Sequence, residues 1–147
     1  MADTLADERR STSNFGSSTT LESDGDSGRS KQSFLRFDVS GATSTIVSAR
    51  IRIWVTNATT NGPEVYAVGS SWGENTLTWA NRPVPVGPAL VDAGGIGSGT
   101  WYEFDVTPAV TGNGTYSFVM ISASTDALKF ASRETSTAPE LVVVYGS

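Results

Sequence analysis

Arg36, Arg50 and Arg52 sit at alternate positions of two extended stretches, with Phe34 and Trp54 beside them. Lys129, Ala131 and Arg133 form a second alternating basic row, and Lys31 heads the stretch that contains Arg36. A guanidinium offers a planar fork of donors that matches a carboxylate at two points, and an ammonium adds a compact charge. An indole ring offers a flat apolar face, suited to the C–H face of a pyranose ring. Cations and aromatics on one face therefore have the chemistry to hold a polymer of uronate sugars. The competing reading is a solvated sheet face, whose arginines pair with Glu103, Asp105 or Asp38 across strands and contribute little.

The elements that must position these residues are strands. In Ser33–Val39, Leu35, Phe37 and Val39 alternate with Phe34, Arg36 and Asp38; in Ser48–Thr56, Ala49, Ile51, Ile53 and Val55 alternate with Arg50, Arg52, Trp54 and Thr56. A period of two places one set on each face of a sheet. The polar connection Ser40–Val47 joins the two, and the expectation is that their basic rows share one face. Ala2–Ala6, Thr20–Ser23, Glu64–Val68, Thr76–Trp79, Ala89–Ala93, Thr100–Val106, Thr115–Ala123, Leu128–Ser132 and Glu140–Tyr145 read as further strands. Turn clusters such as Asp24-Gly25-Asp26-Ser27-Gly28 and Gly112-Asn113-Gly114 separate them. Asp7–Thr20 reads as a loop that tucks Phe15 onto the core, and Thr107–Val110 as a helical turn with Thr107 as cap and Pro108 at its first position. No amphipathic helix of any length is visible. The expectation is an all-β, antiparallel two-sheet β-sandwich of jelly-roll or Greek-key type. It has about ten strands in a single domain, residues 1–147. Leu35, Phe37, Ile51, Ile53, Phe104, Phe118 and Leu141 should form its core. Trp54 and Trp101 have the parity for exposure, while Trp72 and Trp79 read as core or loop anchors.

Composition narrows the function. The 147 residues include no cysteine and no histidine, which excludes disulfides, thiolate zinc sites, cysteine nucleophiles and Ser-His-Asp triads. A net charge of −5 argues against nucleic acid as a partner, since non-specific binding needs a surplus of Lys and Arg. No stretch is apolar enough to predict a membrane span. Glu64, Glu74, Glu103 and Glu134 are present, but no pattern singles out a pair for acid–base work on a glycosidic bond. No cofactor is implied. Asp24 and Asp26 are the weak candidates for a structural calcium ion, because hard cations seek several oxygens; a plain Asp-Gly turn explains them as well.

Several segments together carry a resemblance. They are Lys31-Gln32-Ser33-Phe34-Leu35-Arg36-Phe37-Asp38, Ala49-Arg50-Ile51-Arg52-Ile53 and Glu64-Val65-Tyr66-Ala67-Val68. The segment Trp72-Gly73-Glu74-Asn75-Thr76-Leu77-Thr78-Trp79-Ala80-Asn81-Arg82-Pro83 follows, then Phe104-Asp105-Val106-Thr107, Phe130-Ala131-Ser132-Arg133-Glu134 and Ala138-Pro139-Glu140-Leu141. In this order they resemble the DNRLRE-type domains of secreted bacterial proteins, grouped with carbohydrate-binding module family 96. The chain departs from that pattern at Leu5, where members tend to carry an aromatic residue. The resemblance implies an extracellular β-sandwich, covalently joined to neighbour domains in a larger polysaccharide-degrading protein. It implies alginate as ligand and no catalysis by the module itself. Lys31, Arg36, Arg50, Arg52, Trp54, Lys129 and Arg133 are the residues expected to bind the sugar. The rival readings are a structural or adhesion spacer of a surface protein and a small polysaccharide lyase or hydrolase.

Overall fold

Alternating aliphatic and polar residues can be satisfied only if the aliphatic rows of several strands meet. A computed structural model describes residues 1–146 and shows how they do. The strands are β1 (Ala2–Asp7), β2 (Thr20–Ser23), β3 (Lys31–Val39), β4 (Ile46–Asn57), β5 (Glu64–Val68), β6 (Val86–Asp92), β7 (Thr100–Asp105), β8 (Gly114–Ile121), β9 (Leu128–Ala131) and β10 (Glu140–Tyr145). The first sheet has the order β1-β3-β8-β5-β6, and the second has β10-β4-β9-β2 with β7 also paired to β4. All of these pairings are antiparallel. β4 is long enough to hold two partners in succession along one side. Glu140 of β10 lies opposite Arg52 and Phe130 of β9 opposite Val55, while β7 runs along the other side, with Glu103 and Thr100 opposite the same two residues.

The β-sandwich and its core agree with the alternation. Leu35, Ile51, Ile53, Phe104 and Phe118 are buried between the sheets, joined by Phe37, Val55, Met120 and Phe130. Phe37 and Phe118 pack with ring centroids 6.4 Å apart. Leu141 is half-buried instead of deeply buried. It lies in β10, which is paired on one side through β4.

Three local expectations are corrected. β3 and β4 lie in different sheets, so the outward row with Arg36 and the row with Arg50 and Arg52 point away from each other. Both strands put their aliphatic rows into the same core from opposite sides, which separates their polar rows by the thickness of the sandwich. Phe34 is accordingly fully buried, not on a wet face. It joins Ala6, Val68, Leu77 and Val119 in a second apolar cluster outside the first sheet, against which Trp72 and Trp79 pack. Thr76–Trp79 is no strand but part of the turn-rich cover over that cluster, in which the Leu77 N–H donates to the Gly73 carbonyl at 2.9 Å. Asn14 Nδ2 ties this cover to the loop after β1 by donating to the carbonyls of Glu74 and Leu77, both at 2.8 Å. Gly16 lies so close beneath it that a Cβ there would come within 2.2 Å of the Glu74 carbonyl oxygen. Finally, the single-turn helix at Thr107–Ala109 is preceded by Val106 at its cap position. The Thr107 hydroxyl instead accepts the Ala49 N–H at 3.0 Å and donates to Asp105 at 2.6 Å.

Candidate functional site

The cations divide into three groups. The first surrounds an open groove where β1, β2, the start of β3 and β9 come together. The turn Asp24–Ser30 folds back so that Asp24 pairs with Lys31. This brings Arg29 and Lys31 up to Arg9 and Arg10, which leave β1 in a single-turn helix, Glu8–Arg10. Two adjoining cavities of about 310 and 590 Å³ share Asp7, Arg10 and Lys31 in their walls; Arg9, Arg29, Asp24 and Asp26 line the first, and Phe15, Glu22, Asn57 and Lys129 line the second. Five of the chain's ten Lys and Arg residues thus border one groove.

Three of the four carboxylates that line the groove have a partner of their own. Glu22 takes both lysines, with Lys31 Nζ at 3.1 Å and Lys129 Nζ at 3.8 Å. Asp7 accepts the Arg9 N–H at 3.0 Å, and Asp24 accepts the Asp26 N–H at 2.9 Å, closing the turn in which both aspartates lie. Arg9, Arg10 and Arg29 are exposed and make no ion pair among the described residues. Among the described residues no group of three acidic side chains stands close enough to hold a metal ion. The groove therefore offers guanidinium donors and two lysines to an incoming anion.

The second group lies on the outer face of the second sheet. Arg52 pairs with Glu140 at 3.1 Å and holds its guanidinium 4.1 Å from the centroid of the Trp101 ring. Arg50 pairs with Glu103 at 3.3 Å. Asp105, opposite Arg50 across the strands, is held below its ordinary pKa by the hydroxyl and backbone N–H of Thr107, with Arg50 adding to the effect. Trp54 faces Trp101 across β4 and β7, their rings edge to face at 5.5 Å, and both are half-buried. Lys129 belongs to both regions: it pairs opposite Asn57 of β4 and reaches Glu22 in the groove.

The third group holds the fold. Arg36 projects from the outer face of the first sheet, where it donates to the Trp72 carbonyl and lies 4.6 Å from the Trp72 ring centroid. Arg133 grips Glu74 with Nε and Nη2, and its backbone N–H donates to Asp3 at 2.8 Å. The Asp3 N–H in turn donates to Glu74 at 3.1 Å. Burial pushes the Glu74 carboxyl up, but the bonds from Arg133 and from the Asp3 amide outweigh it and keep it below its ordinary value. Asp3 is almost fully buried in β1. Burial, with smaller contributions from Glu74 and Glu134, raises its pKa to about 6 against the pull of the Arg133 N–H and charge. Arg133-Glu134 is thus part of a clasp that ties β1, the cover segment and the end of β9 together.

Of the predicted residues, the structure brings Lys31 and Lys129 together at the groove and Arg50, Arg52 and Trp54 together on one sheet face. It separates Arg36 and Arg133 from both sets. Asp24 and Asp26 line the groove beside Arg29 and Lys31. Sequence reasoning missed Arg9, Arg10 and Arg29, which lie in connections where no periodicity marks a face. The basic pair after a strand and the cation after the Asp-Gly turn were the available signals.

The chain matches the family described as carbohydrate-binding module family 96 over residues 1–145 and therefore belongs to that family. No curated protein matches it.

Proposed function

We propose that this carbohydrate-binding module holds an acidic polysaccharide, alginate in the first instance, in the groove between β1, β2, β3 and β9, and does so without catalysis. The observation that carries this reading is the gathering of Arg9, Arg10, Arg29, Lys31 and Lys129 around one open groove of a protein whose net charge is −5. A local basic site attracts a polyanion while the remaining negative surface discourages loose binding. The three arginines supply two-point contacts for uronate carboxylates, and the lysines can exchange Glu22 for the ligand. Phe15, at the side of the larger cavity, adds an apolar wall. On this reading the module binds, and bond cleavage belongs to an attached domain. This reading places the protein outside the cell, where such polymers occur.

Isothermal titration with alginate tests it. Arg10→Ala and Lys129→Ala should each weaken binding several-fold with little change in melting temperature. Affinity should fall as salt rises, because exposed charges are screened beyond about 8 Å at physiological ionic strength. Wild-type affinity in both variants at low and high salt would remove the groove as the site. Release of unsaturated or reducing ends from alginate by the purified protein would overturn the non-catalytic reading.

A further inference from the structure

Among the four tryptophans, three have a guanidinium over the ring: Arg36 on Trp72 at 4.6 Å, Arg52 on Trp101 at 4.1 Å and Arg82 on Trp79 at 3.5 Å. Trp54 is the exception among the described residues. It stands half-buried on the outer face of the second sheet, its ring edge to face with Trp101. The 69–83 cover lies over the first sheet, where Trp72 and Trp79 pack, and not over this face. The surrounding charges cancel: Arg50 is paired with Glu103, Arg52 with Glu140, and Asp105 is bound by Thr107. Three carboxylates stand against two arginines, and Lys129 at the margin is held by Glu22, so this face has no excess positive charge for a polyanion.

We propose that the outer face of the second sheet is a second saccharide site, adjoining the groove at Thr56 and Lys129 but distinct from its arginines, which takes an uncharged sugar chain on Trp54. The indole supplies a platform for the apolar face of a neutral pyranose. The flanking ion pairs present donors and acceptors for the sugar hydroxyls through Arg52, Glu140, Arg50 and Glu103. Paired charges suit this task because neutral hydroxyls both donate and accept, so each half of a pair finds a partner without being left unbalanced. The module is then bivalent, with one face for an acidic polymer and one for a neutral polymer of the same matrix.

The proposal does not rest on the groove, and separate variants test the two sites. Cellohexaose, mannohexaose and laminarihexaose are titrated into the full chain, followed by tryptophan fluorescence and by calorimetry at low and high salt. At least one should bind, change the fluorescence and keep its affinity as salt rises. Trp54→Ala should weaken that binding by roughly two- to tenfold, the range expected for one aromatic contact, while an Arg9→Ala/Arg29→Ala double variant, at the far side of the groove, leaves it unchanged. Melting curves establish that Trp54→Ala is folded. If it is not, Trp54→Phe decides, since it keeps a ring in place: calorimetric binding should persist and the ligand-induced fluorescence change should shrink to what the neighbouring Trp101 reports. Absence of binding by all three oligosaccharides, wild-type affinity in folded Trp54→Ala, an undiminished fluorescence change in Trp54→Phe, or loss of neutral-sugar binding in the arginine double variant would each overturn it.

Discussion

Replacing Asp3 by Asn should stabilise the protein at neutral pH and lose that advantage in acid. Asp3 is 1% exposed in β1, and its carboxyl has a pKa raised from 3.8 to about 6, chiefly by burial. A carboxyl with a raised folded-state pKa binds its proton more tightly in the native chain. Its contribution to stability is therefore fully present below pH 4 and is lost as pH rises through about 6. A shift of this size corresponds to roughly 3 kcal/mol between the two ends of that window, at 1.36 kcal/mol per pH unit. Asn cannot ionise, and its carbonyl can still accept the Arg133 N–H that Asp3 accepts at 2.8 Å. Urea denaturation of both proteins from pH 4 to 8 measures the difference. Stability of the variant relative to wild type should climb by roughly 2–3 kcal/mol across this range, most steeply between the unfolded value of 3.8 and the folded value of about 6, and level off above it. Glu74 works with the opposite sign: its pKa is lowered, so its contribution is present above its unfolded value and lost in stronger acid. A stability difference that stays flat between pH 4.5 and 7.5 would refute the reasoning, because it would mean that Asp3 titrates alike in the folded and unfolded chains.

Two further outcomes test the packing. Phe37→Ala should cost roughly 3–5 kcal/mol, since it removes a ring that is 5% exposed and leaves a cavity beside Phe118; a loss below 1 kcal/mol in chemical denaturation would show that the sheets close over the gap. Gly16→Ala places a methyl against the Glu74 carbonyl and should destabilise by about 1–3 kcal/mol, read as a lower denaturation midpoint, whereas an unchanged midpoint would mean that the cover segment yields freely.

Alternation revealed the strands because burial on one face leaves a period of two in the residues themselves. Leu35, Phe37, Ile51 and Ile53 could therefore be assigned to a core before any partner was known. The same pattern is silent about which strands share a sheet. Arg36 and Arg52 have equal parity, yet a connection that crosses the core instead of turning back as a hairpin sends them to opposite sides. Phe34 shows the matching limit. A face that alternation marks as outward can be covered by a distant irregular segment, here the one bearing Trp72 and Leu77. The groove was the least legible part, since Arg9, Arg10 and Arg29 sit in a short helical turn and a loop and meet Lys129 through long-range strand pairing. The clasp of Asp3, Glu74 and Arg133 likewise joins residues far apart in the chain, whose types alone suggested surface charge.

The pairing of β2 with β9 and of β4 with β10 governs how the chain can fold. Leu21 must wait for Phe130, and Arg52 for Glu140, so the second sheet cannot close until nearly the whole sequence is present. Until then β4 has only β7 for company, and the aliphatic rows of both sheets stay open. Long-range pairing of this kind carries a large loop-closure cost before any contact repays it, and such β topologies fold on the order of milliseconds to seconds. On a ribosome the growing chain should therefore remain unfolded, with its sticky strands exposed, and collapse in one late step after β9 emerges, with β10 completing the edge of the second sheet. A chain cut short before Leu128 lacks the strand that joins β2 to β4 and should find no stable partial fold, and aggregation of that fragment becomes the principal hazard of its synthesis.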